Sequence, residues 1–175
     1  ANKYKIKKVY VNNSNSIKEK IDSNCVGFLF NFDIIIKKEV LSKFEQGIYN
    51  IHASKLPKDK GISPVLWAFA RGDLEIWSSI YKVDEGIDSG PLVKQLKILT
   101  LSNDTAFSLY SRVCVKSGEA LNDILNDILN DKIVFLNQSL DIESNYLSWP
   151  NENFLFMMKK SNRKLISIKS FLKNI

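Results

Sequence analysis

The sequence predicts an α/β protein in which helices flank a buried sheet. The apolar run CVGFLFNFDIII at 25–36 is typical of a strand that is buried on both faces. Strand-type and helix-type patterns alternate along the first half of the chain, and a long amphipathic stripe follows at 103–132. A chain of 175 residues is long enough to bury one sizeable core.

The first 47 residues contain two strand–helix pairs. YKIKKVYV at 4–11 alternates apolar and charged residues, which predicts a strand, and SIKEKIDS at 16–23 predicts a short helix. The apolar strand at 25–36 comes next. In KKEVLSKFEQG, residues Val40, Leu41 and Phe44 have helical spacing, and Gly47 is the expected end of that helix.

The middle of the chain predicts a helix and then a pair of strands. In SPVLWAFARGD, Ser63 is the expected N-cap, Pro64 the first helical residue and Gly72 the end. EIWSSIYKV and GPLVKQLKIL are strand-like and surround the Gly- and Asp-rich loop DEGIDSG at 84–90.

The last third is predicted to be mainly helical. The long helix carries one apolar stripe, formed by Leu121, Ile124, Leu125, Ile128 and Leu129. A shorter helix is expected to start near Asn151, after Trp149-Pro150. We expect four apolar residues of this second helix to pack on the core: Phe154, Phe156, Met157 and Met158.

Charge and composition narrow the classes of function. The net charge is +6, and from residue 151 onward six cations stand against one acid, so +5 lies in the tail. We interpret the tail as a solvated basic helix, and nucleic acid is not an expected partner. No apolar run is long enough for a bilayer, and we see no secretory signal. Cys25 and Cys114 are far apart in the sequence and form no CxxC motif. This predicts reduced thiols, no metal site and a cytoplasmic protein.

The single histidine of the chain, His52, lies in the segment YNIHASKLP. In an extended segment, Asn50 and His52 point to the same side. An amide can donate to a developing oxyanion, and an imidazole can exchange a proton near neutral pH. The loop at 84–90 offers Asp84, Glu85 and Asp88 as the carboxylate that would orient the ring. On pattern alone, a structural histidine remains the more frequent case.

A wider stretch, from about Cys25 to Lys97, resembles the folate-dependent formyltransferases. GIYNIHASKLPKDKGISPVLWAFARGD is similar to the Asn-x-His-x-Ser-x-Leu-Pro block, the Gly-x-x-Pro turn and the Trp-Ala helix of that family. SSIYKVDEGIDSGPLVKQ is similar to its second block, which ends in Asp-x-Gly-Pro. The resemblance implies a Rossmann-like core with a mostly parallel sheet, and it implies that the first strands of the usual domain are absent from this chain.

The same resemblance implies the roles of individual residues. Asn50, His52 and Asp88 occupy the catalytic positions of the family, while Asp84 and Glu85 rank lower. Formyl transfer from N10-formyltetrahydrofolate to a primary amine is implied, with no metal. The pterin ring would be bound at two stretches, represented by Phe32, Ile34, Ile36, Val83, Asp84 and Gly86.

The acceptor is expected to be a nucleotide-linked amino sugar, because YLSWPNENFLFMMKKSNRKLIS is similar to the tail of some sugar N-formyltransferases. Ser54, Lys55 and Trp67 are the candidate substrate-binding residues, and Trp77 and Tyr81 are further aromatics that could stack on the nucleotide. For each of these three aromatics, packing in the core is the more frequent role. We expect a catalytic core at 1–135 and an extension with a basic helix at 136–175, in a chain that could form a homodimer.

Other functions stay open at this point. The acceptor could instead be glycinamide ribonucleotide, methionyl-tRNA or water. A folate-binding module without turnover is a different class, and so is RNA binding through the basic tail.

Overall fold

The computed structural model of the protein describes residue 10 and residues 13–18 and 25–166. The predicted strand at 4–11 therefore lies outside the described residues except for Tyr10. Within them the elements follow in the order α1 (Ser14–Lys18), β1 (Gly27–Phe30), α2 (Lys38–Leu41), β2 (Ile48–His52), β3 (Lys60–Gly61), α3 (Pro64–Arg71), β4 (Glu75–Lys82), β5 (Leu92–Leu99), α4 (Ala106–Leu129), β6 (Tyr146–Leu147) and α5 (Glu152–Lys160).

The main sheet has four described strands in the order β1-β2-β4-β5. Strands β1 and β2 run parallel, whereas β2–β4 and β4–β5 are antiparallel. The α/β class is confirmed, but the described part of the sheet is mixed rather than mostly parallel. The connection between β4 and β5 is a short loop, and such a loop can join only antiparallel neighbours.

The apolar run at 25–36 forms a shorter strand than predicted. Only Gly27–Phe30 pair with β2, and these residues are partly buried or exposed instead of being covered on both faces. Strand β1 lies at one edge of the described sheet, so fewer neighbours cover it. Beyond the strand, Ile35 is 71% exposed, whereas Ile36 is buried against Val40 and Ile48.

The two short helices match their predictions to different degrees. Helix α2 ends at Leu41, so Phe44 lies in the turn after it, and Gly47 (φ +83°) leads into β2 instead of ending the helix. Helix α3 begins at Pro64 and ends at Arg71, with Gly72 (φ +92°) as the C-cap that terminates it, as predicted. Ser63 occupies the N-cap position, but its side chain makes no capping hydrogen bond.

Helix α4 packs along one face of the sheet. Ile124 and Ile128 contact Ile51 and Ile80, so this part of the predicted stripe is buried. Leu129, at the end of the stripe, is 67% exposed. Because side chains alternate along a strand, the neighbours of these isoleucines point to the opposite face of the sheet.

The segment after α4 returns across the core. Residue Leu136 bridges to Leu92, and β6 pairs in parallel with β3. Helix α5 starts after Asn151, whose side chain accepts hydrogen bonds from two amides of the first turn.

The packing of α5 follows its sequence pattern in part. Phe154 and Met158 are buried and Met157 packs beside them, as predicted. Phe156, however, is 67% exposed, because it lies on the outer face of the helix. The division at residue 135 stays a prediction, and 167–175 lie outside the described residues.

Candidate active site

Two of the three predicted catalytic residues, Asn50 and His52, lie on strand β2 and point to the face of the sheet opposite α4. Asn50 lies across from Tyr81 in β4, and His52 lies across from Ser79. The His52 side chain is buried, with 6% exposure, and Asn50 is half-buried. The alternation expected from the sequence therefore holds.

A chain of hydrogen bonds joins Asn50 to the third predicted catalytic residue. The Asn50 side-chain amide donates to the Tyr81 hydroxyl at 2.9 Å. That hydroxyl donates to Asp88 Oδ1 at 2.7 Å, and the Gly61 amide donates to Asp88 Oδ2 at 2.8 Å. Both carboxylate oxygens of Asp88 are thus held in place by donors.

The His52 ring lies between two acceptors. Its Nε2 is 2.8 Å from the carbonyl oxygen of Asp59. Since a carbonyl only accepts, Nε2 carries the hydrogen in this contact. Its Nδ1 is 3.6 Å from Asp88 Oδ2, which is longer than a hydrogen bond. The ring is therefore anchored through Nε2, while Nδ1 faces the Asp88 carboxylate.

Tyr81 connects two of the predicted catalytic residues, a position that the sequence does not predict. The sequence predicts stacking or, more often, core packing for this aromatic; the side chain is indeed buried, and its hydroxyl also bridges Asn50 and Asp88. Burial and then the nearby Asp88 carboxylate raise the pKa of Tyr81 far above its ordinary range. The hydroxyl therefore stays protonated and serves as a donor. No local pattern in the sequence indicates this contact, because it follows from the register of β4 against β2, which places Tyr81 opposite Asn50.

The loop between β4 and β5 brings one of its three acids to the histidine. Asp88 has φ +48°, a left-handed conformation, and its carbonyl accepts from Gln138 Nε2 at 2.9 Å. Asp84 instead accepts from the Gly86 amide and so shapes the loop. Glu85 pairs with Lys38 at the surface. Asp88 is therefore the acid that can support His52, in agreement with the expected ranking.

The residues expected to bind the pterin lie at two adjoining stretches. Phe32 is 36% exposed and Ile34 is half-buried, whereas the side chain of Ile36 belongs to a core cluster against which Val83 also packs. Among the described residues, we find no hydrogen-bond partner for the backbone groups of 32–36. Peptide groups that are free to donate and accept fit a flat heterocycle with polar edges.

The three predicted substrate-binding residues separate in the structure. Ser54 and Lys55 line a cavity of about 400 Å³ beside the loop that follows His52. The Ser54 hydroxyl donates to the Lys58 carbonyl, and the Lys55 ammonium lies 4.3 Å above the ring of Trp77. Trp67 is buried, packs edge-on against Phe154 and donates its indole N–H to the Ser148 carbonyl. Its contacts are those of a core residue, so it does not offer a face to a substrate.

The part of the chain that the structure describes contains no group of three or more acidic, histidine or cysteine side chains that could hold a metal ion. Within the same residues, no helix is long and apolar enough to cross a membrane.

The sequence profile of the formyl transferase family matches residues 10–125, which is more than half of the chain. The protein therefore belongs to the formyl transferase family. The matched region contains Asn50, His52 and Asp88, together with Tyr81.

Relatives and solved structures agree with this family. A methionyl-tRNA formyltransferase of Myxococcus xanthus is 35% identical over 89 residues, which cover 51% of this chain and 28% of the relative. The bifunctional polymyxin resistance protein ArnA of Wigglesworthia glossinidia brevipalpis is 28% identical over 149 residues, covering 82% of this chain and 23% of that protein. The chain thus spans less than a third of the length of either relative.

Among solved structures, the formyltransferase PseJ from Anoxybacillus kamchatkensis is similar with a TM-score of 0.63 and 25% identity. The similarity covers 77% of this chain and 69% of that one. A 4-N formyltransferase from Francisella tularensis has a TM-score of 0.66 at 22% identity, which shows the common fold. The Rossmann-like formyltransferase core expected from the sequence is confirmed by these likenesses.

Proposed function

We propose that the protein transfers a formyl group from N10-formyltetrahydrofolate to the primary amine of a nucleotide-linked amino sugar. The observation that carries this proposal is the connected set Asn50–Tyr81–Asp88 with His52 beside it, in a chain of the formyl transferase family. An amide and an imidazole on one face of a sheet, with a carboxylate from the adjoining loop, match the needs of acyl transfer to an amine.

Asn50 is the proposed oxyanion donor. A side-chain amide has two N–H groups, and the Tyr81 hydroxyl accepts one of them. The second N–H is left to donate to the negative oxygen that develops when an amine attacks the formyl carbon. Tyr81 fixes the amide plane, so this N–H need not be oriented during the reaction.

His52 and Asp88 are proposed to handle charge and the proton. The protonated His52 ring stabilises the developing oxyanion, while Asp88 supports the positive charge of the ring from 3.6 Å. Asp88 also accepts the proton that the attacking amine loses, directly or through a water molecule. Tyr81 and the Gly61 amide hold the Asp88 carboxylate in place for this role.

The co-substrate is proposed to lie against 32–36 and the first half of the loop at 83–88. Phe32 and Ile34 supply accessible apolar surface, and Asp84 and Gly86 shape the loop. The side chains of Ile36 and Val83 support these stretches from the core. N10-formyltetrahydrofolate would supply the activated formyl group, and PseJ, a similar protein, was crystallised with tetrahydrofolate.

The similarity to the structure of PseJ supports an amino sugar as the acceptor. PseJ, the neighbour of which this chain covers more than two thirds, was crystallised with a UDP-linked formamido sugar. Ser54 and Lys55 line the cavity beside the histidine loop and are the proposed contacts with this substrate. Methionyl-tRNA is the second candidate, because methionyl-tRNA formyltransferases share 35% or more identity with about half of the chain.

The proposal is tested by measuring formyl transfer from N10-formyltetrahydrofolate to three acceptors: nucleotide-linked amino sugars, methionyl-tRNA and water. We expect the protein to transfer the formyl group to an amino sugar. We expect Asp88→Asn to lower turnover without changing the affinity for the folate. Asp123→Asn, the same substitution at an exposed position of α4, is the matched control and should remain active. Equal loss of turnover and of folate binding in Asp88→Asn would indicate a binding role instead.

A further inference from the structure

The segment that follows α4 reaches the active site from outside the matched family region. Asn145 Oδ1 accepts from the Asp59 backbone N–H at 2.8 Å, and Asn145 Nδ2 donates to Asp59 Oδ1 at 2.8 Å. The Asn145 carbonyl also accepts from the Lys60 N–H at 3.0 Å. Asn145 therefore contacts Asp59 and Lys60 through three hydrogen bonds.

These contacts fix one peptide group that matters for the histidine. The Asp59 carbonyl and the Lys60 N–H belong to the same planar peptide unit and point in opposite directions. The N–H side donates to Asn145, and the carbonyl side accepts from His52 Nε2 at 2.8 Å. A rotation of this peptide would break both hydrogen bonds together.

The conformation of Asp59 requires such support. Its φ is +53°, in the left-handed region, which for residues other than glycine persists only when surrounding contacts hold it. Arg71 holds the carboxylate from the other side, at 2.5 Å from Oδ2. Without the Asn145 side chain, the Arg71 ion pair would still restrain the Asp59 carboxylate and the Asn145 carbonyl would still accept from Lys60, but the Asp59 N–H would lose its acceptor and the turn at Asp59 would be held less firmly.

We propose that Asn145 is a positioning residue that holds the Asp59 carbonyl against His52 Nε2. The segment after α4 thereby orients the catalytic ring, although it lies outside the region that the family profile matches. The effect on turnover rests on the proposed function, but the effect on the ring does not. Asn145 is exposed, so its truncation should leave the protein folded.

The ring can be observed directly because His52 is the single histidine of the chain. In a protein purified without a histidine tag, long-range ¹H–¹⁵N NMR spectra contain one imidazole. For the natural sequence we expect a hydrogen on Nε2 that exchanges slowly with water. For Asn145→Ala we expect shifted ring-nitrogen signals and faster exchange of that hydrogen. Ring signals identical in the two proteins would overturn the proposal.

Two further variants separate positioning from general damage to the tail. Asn151→Ala removes the N-cap of α5 in the same segment, and we expect it to leave the ring signals unchanged. Asn145→Asp would face the Asp59 carboxylate with a second carboxylate, and adding Asp59→Asn would restore a donor–acceptor pair. Because Asp59→Asn also weakens the Arg71 ion pair, we expect the double variant to bring the ring signals closer to the natural ones than Asn145→Asp alone does. Identical ring signals in the single and double variants would contradict the pairwise mechanism.

Kinetics then connect the ring to catalysis. With an acceptor identified, Asn145→Ala should lower kcat by about tenfold and leave the KM for the folate unchanged, since a misplaced group affects the reacting geometry more than binding. If the natural chain transfers no formyl group while the ring signals respond to Asn145, the proposed function fails and the positioning role stands. If transfer and ring signals are both unaffected, the positioning role fails and the function stands.

Discussion

Replacing Tyr81 with phenylalanine removes a single oxygen from the centre of the hydrogen-bonded chain. The aromatic ring packs with Leu56 and Leu92, and phenylalanine would keep these contacts. The substitution would leave the Asn50 amide without its acceptor and Asp88 Oδ1 without its donor. Its effect is therefore a measure of the hydrogen bonds rather than of core packing.

The cost to stability follows from the two lost partners. A hydrogen bond to a charged carboxylate contributes about 2 kcal/mol, and a neutral one contributes about 1 kcal/mol. The sum of about 3 kcal/mol corresponds to a fall in Tm of about 6–12 °C for a domain of this size. Most of this loss should come from Asp88, since a buried carboxylate is a costlier group to leave without a donor than a half-buried amide.

Tyr81→Phe should also lower the turnover of the protein that remains folded. With the Asn50 amide free to rotate, the proposed oxyanion donor is no longer oriented, and we expect kcat to fall about 10- to 100-fold. Folate affinity should not change. The assay compares single-turnover formyl transfer in Tyr81→Phe with that in Tyr49→Phe, a buried tyrosine on the opposite face of the same sheet. Equal transfer rates in the two variants would refute the role of the Tyr81 hydroxyl.

Three further predictions concern stability. Folding raises the pKa of Tyr81, so above about pH 10 the hydroxyl is protonated in the folded state and loses its proton on unfolding. The free energy of unfolding, measured by denaturant titration, should therefore fall as the pH rises above about 10. In Tyr81→Phe this fall should be smaller by about 1.4 kcal/mol per pH unit. Gly90→Ala should abolish the cooperative thermal unfolding transition, because the added Cβ would lie 1.8 Å from the Lys82 carbonyl oxygen. Its control is Gly118→Ala on α4, where no atom from elsewhere in the protein lies within 4 Å of the added Cβ, and this variant should be more stable by about 1 kcal/mol. Thr105→Ala should cost about 1 kcal/mol in the same titration, since it removes the capping box of α4.

Local signals explain which elements could be predicted from the sequence. Helix α3 is bounded by Pro64 and Gly72, and α5 follows the capping residue Asn151, so the sequence near each end contains the cause of the boundary. The shared face of Asn50 and His52 follows from the two-residue period of a strand. Features of this kind depend on neighbours within a few positions.

The features that the sequence could not supply depend on distant partners. Tyr81 meets Asn50 across 31 positions, and Asn145 meets Asp59 across 86. No local pattern states the register of two strands or the path of a returning segment. For the same reason, the apolar run at 25–36 predicts a longer buried strand than the structure contains, since burial there depends on which strands lie beside it.

The most direct test of the central claim is mass spectrometry of nucleotide-linked amino sugars after incubation with the protein and N10-formyltetrahydrofolate. We expect one acceptor to gain the mass of a formyl group with the natural sequence, and no gain with a folded His52→Ala variant. A gain of equal size with that variant would contradict the assignment of His52 to the active site. No gain with any sugar, but formylation of methionyl-tRNA, would keep the chemistry and overturn the acceptor.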